Sequence, residues 1–125
     1  MGNLISGISN DDRISCEEYN EILKSNKPHV LIDVRPKGAF QAGALENAIN
    51  IPKADLVDNV ERIQDLLKKK AEEVNENEVP LYLICRSGIT SSLSIPILKK
   101  QGIISKDVKG GLLEWKSKIN PQFPI

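Results

Sequence analysis

The apolar run Leu81-Tyr82-Leu83-Ile84 passes directly into Cys85-Arg86-Ser87-Gly88-Ile89-Thr90, and a helix-like stretch follows. This order dictates a buried strand, a tight turn and a helix. A cysteine at such a turn faces the first N–H groups of the helix, which have no partner within it. Those groups favour an anion, hence thiolate over thiol, and make the sulfur a nucleophile. An inert core cysteine would sit inside a strand or helix, without the arginine and glycine that follow here.

The same alternation runs through the chain. Ser15-Cys16-Glu17-Glu18 reads as a capping box, with Ser15 as N-cap and Glu18 three residues on. The helix it starts extends to about Lys24, with Tyr19, Ile22 and Leu23 as its apolar stripe and Cys16 as a structural residue in its first turn. Asn26-Lys27-Pro28 stops it. His29 to Val34 is a second buried strand, ended by Asp33 and left through Arg35-Pro36. A short helix or turn spans Gly38 to Ala44, and a short strand Ala48 to Ile51 is closed by Pro52. A long helix from about Asp58 to Val74 carries Val60, Ile63, Leu67, Ala71 and Val74 on one face. Its Lys68-Lys69-Lys70 triplet reads as a solvated face, with a docking patch as the alternative. Pro96 is expected to kink the helix after Thr90, and Gly102 ends that helix. Val108 marks a last short strand, Gly110-Gly111 a turn, and Leu112 to Lys118 a final helix containing Trp115, read as a core or end-cap aromatic. Tyr82 is expected to pack, and His29, with no Cys or His nearby, to lie on the surface without a metal.

Strands alternating with helices give an α/β fold with a parallel sheet, whose sites lie at the carboxyl ends of the strands. A chain of 125 residues is one domain. Residues 13–125 form it, and 1–12, rich in Asn, Ser, Gly and Asp, are a flexible lead-in. Met1-Gly2-Asn3-Leu4-Ile5-Ser6 fits the myristoylation pattern, with a leftover of recombinant expression as the plainer reading of Met1-Gly2. Seventeen basic residues balance seventeen acidic ones, which argues against nucleic acid as the main partner. No apolar run approaches a membrane span, and no secretory signal is visible. Two cysteines, one set in a reactive turn, suit a reducing compartment, and the expected location is the cytoplasm.

Gly88 opens backbone angles that let successive N–H groups of Arg86 to Thr90 point inward as an anion nest. Arg86 adds charge, and Ser87 and Thr90 add hydroxyls. A thiolate there could attack a sulfane sulfur, become a persulfide and pass the sulfur on. A cysteine phosphatase would need Cys, five residues, then Arg; that place is Ser91, so equatorial phosphate oxygens lack their bidentate partner. A lone redox thiol and a non-catalytic binding module remain as alternatives. Neither accounts for Cys85, Arg86 and Gly88 together.

Leu31-Ile32-Asp33-Val34-Arg35, Ala48-Ile49-Asn50-Ile51-Pro52, the Cys85–Thr90 loop, and Gly110-Gly111-Leu112 with Trp115 resemble a rhodanese domain in order and spacing. Ile14 to Tyr19, Asp33 to Pro36 and Asp107 to Leu112, with Ile119 to Pro124, are most similar to the C-terminal rhodanese domain of the adenylyltransferase-and-sulfurtransferase proteins. Those proteins act in molybdenum cofactor synthesis and tRNA thiolation. The resemblance implies a single rhodanese-like domain, a central parallel sheet of about five strands flanked by helices on both faces. It implies a persulfide on Cys85 and an anion site made by Arg86, Ser87, Gly88, Ile89 and Thr90. Asp33 and Arg35 would brace that loop. The implied acceptor is the activated C-terminus of a ubiquitin-like sulfur carrier, and the implied donor a cysteine desulfurase or thiosulfate; a stand-alone thiosulfate sulfurtransferase is the alternative. No cofactor is expected in this domain; ATP and zinc would belong to an adenylyltransferase domain preceding residue 1.

Four positions depart from the family pattern. Gly43-Ala44-Leu45 replaces Gly-His-Ile and Asn47 a common glycine, both expected to alter packing rather than chemistry. Thr90 stands where the sulfurylase group often has an acidic residue. An acid would repel an anionic donor and Thr90 would not, so better use of thiosulfate than by those relatives is expected.

Overall fold

Two short apolar runs, too short for helices and both fully buried, form the middle of the sheet. The structure, a computed structural model, describes residues 10–125. The myristoylation pattern therefore lies outside the described residues. Its strands are β1 (Arg13–Ile14), β2 (Val30–Asp33), β3 (Ile49–Asn50), β4 (Leu81–Ile84) and β5 (Lys106–Val108). The helices are α1 (Cys16–Lys24), α2 (Lys37–Ala42), α3 (Val60–Glu73), α4 (Ile89–Lys100) and α5 (Gly111–Lys118). The sheet order is β1-β5-β4-β2-β3 and every pair is parallel.

Successive residues of β2 and β4 point to opposite faces, and both faces are apolar. Val30, Ile32, Leu81 and Leu83 enter one cluster with Ile63 and Ala71 of α3 and Ile95 and Leu98 of α4. Leu31, Tyr82 and Ile84 enter the other, with Tyr19 of α1 and Leu112 and Trp115 of α5. The expected packing of Tyr82 and Trp115 is what the structure shows.

Local chemistry sets the element ends. Ser15 Oγ accepts from the Glu18 N–H at 3.0 Å, and Glu18 Oε1 accepts from the Ser15 N–H at 2.9 Å, which closes the capping box of α1. Gly102, at φ 81°, follows α4. Asn47 has φ 64°, a left-handed conformation that asparagine tolerates better than most residues, which accounts for its replacing a glycine. α4 runs through Pro96 as a continuous helix.

One expectation needs correction, and two short elements carried no signal. Asn10–Asp12, within the expected lead-in, form a 3-10 turn packed on β1 and β5. β1 itself had no signal, being two residues long. His29 is half-buried rather than a surface residue: Tyr19 Oη and His29 Nε2 lie 2.7 Å apart, and the ring meets Tyr82 edge-on.

Leu83 is fully buried in the middle of β4, one turn of chain from Cys85. Leu83→Ala should lower stability by about 2–5 kcal/mol, read from the urea unfolding midpoint.

Candidate active site

Residue Cys85 leaves the carboxyl end of β4, and the chain enters α4 through Gly88 at φ 92°. That left-handed angle aims the Gly88 N–H back at the sulfur. Cys85 Sγ accepts from the Gly88 N–H at 3.1 Å and from the Ser91 N–H at 3.3 Å. Of the Arg86 to Thr90 N–H groups expected to form the anion nest, that of Gly88 reaches the sulfur, and the second donor, Ser91, lies one residue beyond them. Cys85 is 2% exposed, so its sulfur forms the floor of the loop. Arg86, Ser87 and Ile89 are exposed around it and Thr90 is half-buried. The Arg86 and Ser87 side chains bond to nothing among the described residues, which leaves their donors free for an incoming group.

The loop is held from behind by α5. The N–H groups of Leu112 and Leu113 donate to the carbonyls of Cys85 and Arg86, each at 2.9 Å. This contact leaves no room for a side chain at Gly111. A Cβ there would lie 2.4 Å from the Cys85 carbonyl oxygen, and its φ of 57° is left-handed as well. The Gly110-Gly111 turn is thus the place where the α5 N-terminus reaches the cysteine loop.

A second set of side chains completes the surroundings. The Cys85 thiol donates to Ser91 Oγ at 3.4 Å, and the Ser91 hydroxyl donates to Asp107 Oδ2 at 2.7 Å. Arg13 Nε donates to Asp107 Oδ1 at 2.7 Å, and its Nη2 donates to Asp107 Oδ2 and to the Gly88 carbonyl, each at 3.0 Å. The Asp107 bond raises the Arg13 pKa above its ordinary value, against the opposing pull of burial, and the charges of Asp107 and Cys85 act in the same direction. Arg13 therefore stays a cation.

Asp33 and Arg35 stand elsewhere. They form a buried pair, with Arg35 Nη2 2.7 Å from Asp33 Oδ2, and Arg35 also donates to the Gly43 carbonyl at 2.6 Å. Asn50 Nδ2 donates to the carbonyls of both Asp33 and Arg35. These bonds fix the segment from β2 to Gly43. The loop-bracing part expected of them is filled by Arg13, Asp107 and α5, and their own link to the β4 end is the Val34 N–H donating to the Ile84 carbonyl. The sequence reading missed Arg13 and Asp107. The signal available for them was a buried carboxylate in a short strand, facing an arginine in register; Arg13 and Asp107 are direct partners across β1 and β5.

The model of the rhodanese-like domain matches residues 15–118. The chain belongs to the rhodanese-like family. Among curated relatives it is 35% identical over 117 residues to the adenylyltransferase and sulfurtransferase MOCS3 of Oryza sativa subsp. japonica, covering 89% of this chain and 25% of the relative. It is 36% identical over 119 residues to the same-named protein of Drosophila sechellia, covering 94% and 25%. The chain thus spans about a quarter of the length of these relatives. Among solved structures, a rhodanese-like domain protein of Staphylococcus aureus matches with a TM-score of 0.66 and 28% identity, over 83% of this chain and 90% of that one. The human single-domain sulfurtransferase TSTD1 shares the fold, with a TM-score of 0.64 and 23% identity over 86% and 96%. Among the described residues of this rhodanese-like domain, no group of three or more His, Cys, Asp or Glu could hold a metal, and no helix is long and apolar enough to cross a membrane.

The two thiols differ sharply in setting. Cys16 is fully buried, donates toward the carbonyls of Lys109 and Gly111, and burial pushes its pKa up to about 11, with Glu114 and Glu17 adding to the rise. Iodoacetamide at pH 8 should therefore label the folded protein at Cys85 and leave Cys16 intact. Peptide mapping checks this, and labelling of Cys16 before unfolding would contradict it.

Proposed function

We propose that this domain is a sulfurtransferase that carries sulfane sulfur as a persulfide on Cys85. The observation that carries the reading is the sulfur itself: it ends a central strand and receives two backbone N–H groups, beneath a rim of unpaired Arg86 and Ser87 donors. In the first half-reaction the Cys85 thiolate attacks the outer sulfur of the donor. A new S–S bond forms, and the donor's own bond to that sulfur breaks, with the electron pair leaving on sulfite when the donor is thiosulfate. With a nucleophilic acceptor such as cyanide, the acceptor attacks the outer sulfur in the second half-reaction, and the pair of the S–S bond returns to Cys85. The rim donors and the loop N–H groups hold the anion as charge moves across the site.

The acceptor proposed is the C-terminal carboxylate of a ubiquitin-like sulfur carrier, activated as an acyl-adenylate. Support comes from the relatives named adenylyltransferase and sulfurtransferase, which join both chemistries in one protein. Toward this carbonyl the persulfide is the nucleophile: its outer sulfur would displace adenylate, and a second thiol would then attack the Cys85 sulfur, forming a disulfide with it while the S–S electron pair leaves on the thiocarboxylate. A cysteine desulfurase, or thiosulfate, would supply the sulfur, and the setting would be the cytoplasm.

Thr90 favours thiosulfate as a working donor. It lies half-buried at the end of the loop and adds no negative charge there. Thiosulfate:cyanide turnover should fall to background in Cys85→Ala and by about tenfold or more in Thr90→Asp, where a like charge opposes the dianion. Wild-type turnover indistinguishable from that of Cys85→Ala would refute thiosulfate as a donor.

A further inference from the structure

The hydrogen bonds around Cys85 close into a ring. From Sγ the path runs to Ser91 Oγ, then to Asp107, then to Arg13, then to the carbonyl of Gly88, whose own N–H returns to Sγ. Ser91 and Asp107 are fully buried and Cys85 nearly so. The other charged groups nearby are Arg86, exposed on the loop, Lys109, exposed in the turn before α5, and half-buried Glu114, which packs on Gly110. Asp12 precedes Arg13 and is half-buried. The α4 first turn contributes no charge.

The ring holds one cation, Arg13, and two groups that can be anionic, Asp107 and Cys85. If the thiol proton left for solvent, two anions would share one cation at the floor of the site, and burial makes an unpaired charge costly. The Cys85 S–H already points at Ser91, and the Ser91 O–H at Asp107. We propose that Cys85 and Asp107 share a single negative charge, and that Ser91 passes the thiol proton to Asp107 when the nucleophile forms. The S–H bond breaks with its electron pair staying on sulfur, and the proton binds Ser91 Oγ. The Ser91 O–H bond breaks and its proton binds Asp107 Oδ2. No electron changes owner and the net charge of the ring is unchanged. The Ser91 hydroxyl then donates to the thiolate, a third donor beside the N–H groups of Gly88 and Ser91. Asp107 stores the proton while the sulfur is a persulfide anion and returns it when Cys85 is released. Ser91 is thus a catalytic residue, touching the reacting sulfur, and Asp107 and Arg13 are positioning residues.

This inference rests on Cys85 being the nucleophile, and its test needs no sulfur donor, so it can fail or stand apart from the persulfide reading. The rate of Cys85 alkylation by iodoacetamide is followed against pH in wild type, Asp107→Asn and Arg13→Gln. Asp107→Asn leaves Arg13 with the thiolate as its one counter-ion, so the profile should move to lower pH, about tenfold faster alkylation at pH 6. Arg13→Gln removes the cation, so the profile should move to higher pH by a similar factor. A structural defect would not move the two variants in opposite directions. Shifts of the same sign, or none, overturn the proposal. Should a variant not fold, the carbon-13 carboxyl resonance of Asp107 in the wild-type protein decides. It should move over the pH range in which Cys85 becomes reactive and lose that response in Cys85→Ala; a resonance that ignores Cys85 overturns charge sharing.

Discussion

The pair of Arg13 and Asp107 is the interaction on which the site depends. It fastens a two-residue edge strand to β5, where Arg13 and Asp107 face each other in register. The same arginine reaches past Asp107 to the Gly88 carbonyl, and the same carboxylate takes the Ser91 hydroxyl. One ion pair thereby orients both the turn before α4 and its first helical residues. A buried carboxylate deprived of its cation is strongly disfavoured, so the edge of the sheet and the catalytic loop stand or fall together. The Cys85 loop is in this sense an extension of β5 and β1 as much as of β4.

The rear of the loop has its own constraint. α5 begins so close to Cys85 that the helix N–H groups satisfy the loop's carbonyls and no side chain fits at Gly111. The carbonyls of Cys85 and Arg86 are tied to α5 in this way, while the N–H groups of Gly88 and Ser91 donate to the sulfur. Packing thereby keeps these two acceptors apart from the two donors that face the sulfur. An anion site made of backbone needs this sorting, because each peptide brings an acceptor along with its donor.

Much of this was legible in the sequence where local patterns decide. The apolar run of β4, the glycine of the turn and the capping box of α1 are signals carried by neighbouring residues, and each is found where it was read. The position of Cys85 at a strand end follows from the same local signal. The supporting side chains depend on strand order instead. Two strands flank β4, each with a buried carboxylate: Asp33 in β2 and Asp107 in β5. Sequence pattern does not say which one turns toward the loop. Asp33 is satisfied by Arg35 two residues away, a local pair that leaves it nothing for Cys85. Asp107 has Lys109 at the same spacing, but that lysine is exposed, and Asp107 takes its partners from β1 and α4. His29 shows the same limit: its half-buried place comes from Tyr19, ten residues earlier on α1.

The central claim is that the Cys85 sulfur is a carrier. Its most direct test is the intact mass of the protein after brief exposure to a sulfane sulfur donor and removal of the excess. The account predicts a gain of one sulfur atom, mapped to Cys85, lost on addition of cyanide and never formed in Cys85→Ala. An unchanged mass with thiosulfate and with a loaded cysteine desulfurase alike would contradict it and leave a rhodanese-like domain that binds without transferring sulfur.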